Sequence, residues 1–416
     1  MTPSKKIFAK EQWLVILIII LLLALLTFAN WQFAKQNEAG VDFLIRWLPT
    51  RMVLFEGFES PYSEEATHRV ELFQYGHSAS GEDVTGYFLY PHYFMLFTLP
   101  FALIKNFTTA RVLWMTLLEV SQIAIIFLSL KMVDFKPKKS TLLLLLFISL
   151  LSTYFVQPII DGNPSSLSAL FVVLCLFFLS KEKDWLAGFF LAFSTIKPQM
   201  VILFCVLVWW WAFSNKRWKV MVSSAIGVSA LMAGSFIFQP NWFSEFIGQL
   251  MIYQGVASPN NPATILSVYF PASGATIGFI LNILCIALLL FEWVRLYKKN
   301  FQHFLWTVCI TFALLPLTSI AFGNRNLVVL LPAIVLIVAT LHKHFPQKSF
   351  WWNLSLIVFL LYSWFALFFP ESSPVIPDFF SFKNYLPFAA LVTVLLYVFR
   401  SKMISPLESS SPLNVL

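Results

Sequence analysis

The chain has 416 residues, of which 59% are hydrophobic, 18% aromatic and only 12% charged. Soluble domains carry about 45–50% apolar and about 25% charged residues, which excludes a soluble globular domain, a disordered chain and a water-soluble nucleic-acid binder. The net charge of +8 is accounted for by membrane topology, so no nucleic-acid partner is expected. Cys175, Cys205, Cys285 and Cys309 lie in apolar runs without C-x-x-C spacing. They read as small buried hydrophobes, neither a disulfide framework nor a zinc site.

A helix needs about 20 apolar residues to cross about 30 Å of hydrocarbon. Runs of that kind, some shorter, lie at 13–29, 109–130, 141–158, 166–180, 185–196, 199–213, 219–238, 272–294, 304–322, 326–341, 350–369 and 385–400. They predict an all-α polytopic membrane protein of about 12 transmembrane helices. One integral-membrane domain is expected over 1–400, with a cytoplasmic tail at 401–416. The first run is longer than the 7–15 apolar residues typical of a signal peptide and reads as an uncleaved signal anchor. Residues 30–87 form a long extracytoplasmic first loop, rich in acid (Glu38, Asp42, Glu56, Glu59, Glu64, Glu65, Glu71, Glu82, Asp83). Within it, Val41, Leu44, Ile45, Leu48, Met52 and Phe55 recur at helical spacing, which predicts a helix lying along the membrane surface. The stretch 88–104, interrupted by Pro100, predicts a short re-entrant or juxtamembrane helix. The pair 185–196 and 199–213 is split by Lys197-Pro198 and reads as a hairpin of short or broken helices.

With both termini in the cytoplasm, alternation places Lys5, Lys6, Lys10, Lys131, Lys136, Lys138, Lys139, Lys181, Lys183, Lys216, Arg217, Lys219, Arg295, Lys298, Lys299, Lys343, Lys348, Arg400 and Lys402 inside. That set is most of the 28 basic residues and satisfies the positive-inside rule. No internal repeat or inverted hydropathy symmetry of the transporter kind is visible.

A charge at mid-bilayer costs about 2.5–3.5 kcal/mol on insertion scales, so polar groups near the spans need explaining. On the outward side these are Asp42, Asp161 and Asn163 in Ile160-Asp161-Gly162-Asn163-Pro164, Lys197, Asn260 and Asn261, and Asn324, Arg325 and Asn326. His92 follows Tyr90-Pro91. A carboxylate can take a proton from a sugar hydroxyl in the transition state, and fixed cations can stabilise charge on a departing phosphate. Together they suit sugar transfer from a lipid phosphate. Each residue also has a plainer reading. Asp42 can stabilise its own helix, Lys197 can snorkel, and Asp161 can simply form a turn. Arg325 can anchor to lipid headgroups, and His92 can be an interface residue. No set of three or four carboxylates suits magnesium or manganese, so no metal and no cofactor are expected.

The ordered motifs resemble those of glycosyltransferase family 87, the polyprenyl-phosphate-mannose-dependent α-mannosyltransferases of the GT-C superfamily. The resemblance rests on Asp42-Phe43, Gly57-Phe58-Glu59-Ser60-Pro61-Tyr62, Tyr90-Pro91 and Ala110-Arg111-Val112-Leu113-Trp114. It continues through Asp161-Gly162-Asn163, Leu186-Ala187-Gly188, Ile196-Lys197-Pro198-Gln199, Leu315-Pro316-Leu317-Thr318 and Leu331-Pro332-Ala333. Family members usually have Tyr-Pro-Pro where this chain has His92, and Gly-Gln where it has Gly162-Asn163. Their late outer loop often holds histidine, where this one has Asn324 and Arg325.

The resemblance implies a GT-C fold with an extracytoplasmic active site and an inverting mechanism. Asp42 would be the base on the acceptor hydroxyl, and Lys197, with Arg325, would hold the donor's phosphate. Asp161, Asn163, His92, Asn261 and Asn324 are the substrate-binding candidates. The expected partners are membrane lipid, a polyprenyl-phosphate-sugar donor carrying a hexose (mannose on this resemblance) and a lipid or glycan acceptor. A bacterial plasma membrane is the expected location. Two other classes suit a polytopic chain that is basic inside: a transporter or lipid flippase, and a non-catalytic subunit of a glycan-assembly complex.

Overall fold

The computed structural model describes residues 3–37, 40–80, 83, 85–256, 261–318, 323–365, 368 and 379–404, without the side chains of 3–12, 254–256 and 379–385. Glu38, Glu82, Asn260 and the tail from 405 onward lie outside the described residues. All regular structure among the described residues is helical.

Where the expected apolar runs are described they fall on helix, but among the described residues five helices are long and apolar enough to cross a membrane: Trp13–Gln36, Phe107–Met132, Trp218–Phe238, Gly274–Arg295 and Asn324–His344. A sixth crossing is the pair Lys139–Leu151 and Thr153–Asp161, bent by 48° at Ser152, whose backbone is extended. The runs expected at 166–180, 185–196, 199–213, 304–322 and 385–400 are shorter apolar helices, among them Asp184–Ser194 and Pro198–Ser214. At 1.5 Å per residue such helices fall short of about 30 Å of hydrocarbon, so helix length alone supports five or six crossings.

The Lys197-Pro198 break is where the sequence places it. Proline lacks an N–H and forces the residue before it out of helix; Lys197 has φ −130° and ψ 76°, and Pro198 opens the next helix. Among the helices that escape the hydropathy reading are Glu64–Tyr75, Trp242–Val256 and Pro262–Tyr269. Over 88–104 the chain forms one short turn, His92–Phe94, and the eight-residue helix Met95–Ala102, which at about 12 Å is too short to cross.

The chain divides into two compact units. The first comprises Met1–Phe88, Phe94–Val120 and Ile159–Asn163. Its centre is the helix Val41–Phe55, and here the surface-helix expectation is corrected. Residues 43–50 and Met52 are all buried, so most of its apolar side chains meet protein, while Leu54 and Phe55 at its end are exposed. Phe43 stacks on Trp114 at 5.3 Å and meets Phe101 edge-on, while the Trp47 indole N–H donates to the Phe101 carbonyl. Ser63 caps the helix Glu64–Tyr75, from which Glu71 accepts backbone N–H groups of Ala79 and Gly86.

Along Trp13–Gln36 only 6% of the apolar window is buried, an exposed apolar rod that needs lipid around it. Its polar tie to the Phe107–Met132 helix is Asn30, which donates to Glu119 (2.8 Å) and to Thr116 (3.1 Å). Such interhelical hydrogen bonds fasten helices in lipid.

The second unit comprises Leu89–Tyr93, Ser121–Pro158 and Pro164–Leu416. The Asn324–His344 span, 78% buried, and the helices Ser165–Ser180 and Phe301–Leu314 form its core. Trp211 stacks on Phe304 at 4.4 Å, and Trp306 donates to the Leu396 carbonyl.

Candidate active site

In the first unit, two glycines bring the Asp161-Gly162-Asn163 turn onto the start of the Val41–Phe55 helix. Gly40, at φ +107°, leads into that helix, and a Cβ there would lie 2.5 Å from Arg111 Nε. Gly162, at φ +73°, would put a Cβ 2.4 Å from that of Phe43. Only glycine fits either position. The turn is clamped from outside as well: Trp114 Nε1 donates to the Gly162 carbonyl (2.8 Å), and Arg111 donates to the carbonyls of Asn37 (2.7 Å) and Ile160 (3.3 Å). The Asp161 charge acts on the Arg111 guanidinium.

The result is a carboxylate held from both sides. Asn163 Nδ2 donates to Asp42 Oδ2 at 2.9 Å, and Arg46 Nη1 meets Oδ1 at 3.2 Å. The Asp42 side chain keeps 20% of its surface exposed, against 4% for Arg46. Asp42 lies in the first turn of its helix, so the macrodipole favours it. Its oxygens, however, reach beyond the helix end to a second segment of chain.

In the second unit, Lys197 is 4% exposed. Its ammonium donates to Ser165 Oγ at 2.6 Å, and that hydroxyl in turn donates to Asn326 Oδ1 at 3.0 Å. Ser165 is the first residue of the helix Ser165–Ser180, and Lys197 itself precedes the first residue of Pro198–Ser214. A helix N-terminus carries about half a positive charge and is a natural anion site. Here the Lys197 ammonium reaches the first residue of one such helix while its own backbone leads into another. The adjoining turn Asn324–Leu330 carries Asn324, whose amide donates to Gln157 (2.8 Å), and half-buried Arg325, whose backbone N–H donates to Asn324.

His92 is buried. Burial holds its imidazole below the ordinary histidine range, and the Glu245 carboxylate pulls in the other direction. Asn261 accepts from the backbone N–H and hydroxyl of Thr264 as the cap of the Pro262–Tyr269 helix. Its side-chain oxygen is thus occupied in local structure.

The structure therefore joins Asp42 with Asn163 beside Asp161, and links Lys197 through Ser165 and Asn326 to the turn bearing Asn324 and Arg325. Sequence reasoning missed Arg46, although an Asp and an Arg four residues apart on a helix is a readable pair. It also missed Ser165, Gln157 and Glu245, for which the sequence offers no comparable signal. Among the described residues no group of three or more His, Cys, Asp or Glu is placed to hold a metal ion.

The exposed apolar helices, which need lipid around them, define an integral membrane protein. The chain belongs to glycosyltransferase family 87, whose family model matches residues 88–315. It is a membrane glycosyltransferase. The matched region contains His92, Asp161, Asn163, Lys197 and Asn261, while Asp42, Asn324 and Arg325 lie outside it. Neither a curated protein nor a solved structure gives a significant match.

Proposed function

We propose that the chain moves a hexose, mannose in the first instance, from a polyprenyl-phosphate-sugar donor to a lipid or glycan acceptor on the extracytoplasmic face. The reaction is a single displacement with inversion. Asp42 takes the proton of the acceptor hydroxyl as that oxygen bonds to C1. The bond from C1 to the phosphate oxygen breaks, and polyprenyl phosphate leaves with the electron pair. A phosphate leaves without a general acid, so one base and one anion-binding group suffice. Lys197 holds the departing phosphate, joined by Arg325 from the Asn324–Leu330 turn, which Ser165 links to Lys197 through Asn326.

The observation that carries this reading is the buried Lys197 ammonium on Ser165 Oγ at the start of a helix, a place that favours a phosphate. The oriented Asp42 carboxylate supports the base. The test is a transfer assay on purified protein in lipid, with labelled polyprenyl-phosphate mannose, glucose and arabinose as donors and total lipid extract as acceptor. Label entering a new product only when Asp42 is intact is the expected result. Transfer that continues unchanged in Asp42→Asn would remove Asp42 from the mechanism.

A further inference from the structure

Beside the Lys197 turn lies a polar shell that the catalytic reading does not use. Tyr93 Oη donates to the carbonyl of Thr195 at 3.0 Å and lies 3.1 Å from its hydroxyl, two residues before Lys197. Burial pushes the Tyr93 phenol up to about 12, so it stays a donor. The edge of Tyr93 meets the Trp242 ring at 6.2 Å. Trp242 is 2% exposed, and among the described residues its buried indole N–H has no hydrogen-bond partner. A buried donor left unmade costs about 1–3 kcal/mol, so such a group is kept where something else supplies the acceptor. One turn further along the same helix, Glu245 accepts from the Gln239 amide at 3.0 Å, and its charge acts on buried His92. Tyr93 joins this shell to the chain that presents Lys197: its phenol bonds Thr195, its ring meets Trp242, and the Trp242 helix carries Glu245, which takes the Gln239 amide and acts on His92.

This chemistry is wrong for a prenyl chain, which offers only hydrocarbon, and right for the hydroxyls of a sugar, which both donate and accept. A phosphate seated at Lys197 carries its sugar one bridging oxygen away. We propose that His92, Gln239, Trp242 and Glu245 form the subsite that recognises the hydroxyls of the donor's sugar. Glu245 accepts from a hydroxyl and the Trp242 N–H donates to one. This rests on the reading of Lys197 as the phosphate-binding residue.

The experiment compares equilibrium binding of bare polyprenyl phosphate with that of its mannosyl, glucosyl and arabinosyl forms to the full chain in nanodiscs. The wild-type protein is expected to bind one sugar-bearing lipid about tenfold more tightly than the bare lipid. Glu245→Gln and Trp242→Phe should each erase most of that preference, one charged or buried hydrogen bond being worth about tenfold. Both should leave affinity for the bare lipid within about twofold. Trp242→Phe keeps the ring and removes only the N–H, so it reads the subsite even where the Glu245 variant folds poorly. A preference unchanged in the variants, or no preference in the wild type, overturns the subsite while leaving the phosphate reading standing. Bare-lipid binding that ignores Lys197→Ala overturns the phosphate reading and this inference with it.

Discussion

In the first unit the Asp42 carboxylate stands in the first turn of a helix, where the macrodipole favours a negative charge, and keeps 20% of its surface open. In the second the Lys197 ammonium is 4% exposed and stands at a helix start, where the macrodipole opposes a positive charge. The carboxylate is comfortable in its own fold, oriented by Arg46 and Asn163, and suits a proton acceptor that must be ready before substrate arrives. The ammonium, buried at a helix start on Ser165, suits an anion-binding group. The same elementary electrostatics, applied with opposite sign, distinguishes the proposed base from the proposed phosphate site.

The largest effect is expected at Asp42. Asp42→Asn keeps the shape and removes the base, so turnover should fall by about 10²–10⁴ with donor affinity within about twofold, read by product formation and equilibrium binding. Lys197→Met should weaken donor binding by about 10–100-fold. The ligand-free protein should stay folded and melt close to wild type, because methionine keeps the buried apolar stem. A marked loss of thermal stability would show that Lys197 holds the fold together rather than the donor.

Backbone substitutions sharpen the contrast. Gly162→Ala meets both a positive φ and a 2.4 Å clash with Phe43, and should cost about 3 kcal/mol and misplace Asn163. Gly57→Ala, at φ +77° with nothing within 4 Å, should cost about 1 kcal/mol and leave turnover intact. Asn261→Ala should cost about 1 kcal/mol through its lost cap and leave donor affinity unchanged. Weaker donor binding without a stability loss would return Asn261 to the list of substrate contacts. The smallest effect concerns His92. Its folded-state affinity for a proton is below that of the unfolded chain, so the unfolded state binds more protons as pH falls through about 6.5. Stability should therefore decline below that pH, and His92→Gln should flatten that part of the profile in pH-dependent melts.

Much of this was legible in the sequence. Hydropathy located the apolar helices, and Lys197-Pro198 announced the break between two of them because proline lacks an N–H and pushes the residue before it out of helix. Asp42 and Lys197 stood out because charge beside a span is expensive. What hydropathy could not tell was whether an apolar face meets lipid or protein. The runs at 13–29 and 326–341 look alike, yet the helices that contain them, Trp13–Gln36 and Asn324–His344, are 6% and 78% buried. The same ambiguity placed Val41–Phe55 on a membrane surface when it is a core helix. Trp242–Val256 went unread because Glu245, Gln249 and two glycines dilute its apolar signal. The partners of the key groups, Ser165 on Lys197 and Asn163 on Asp42, are long-range pairings that only the folded chain reveals.

The most direct test is a crossed measurement on Asp42→Asn and Lys197→Ala in the same lipid, with donor affinity at equilibrium and transfer in a single turnover from saturating donor. Asp42→Asn should bind donor normally and fail to transfer, while Lys197→Ala should bind poorly and recover part of its rate as donor is raised. Normal donor binding in Lys197→Ala together with weakened binding in Asp42→Asn would contradict the assignment of base and phosphate site.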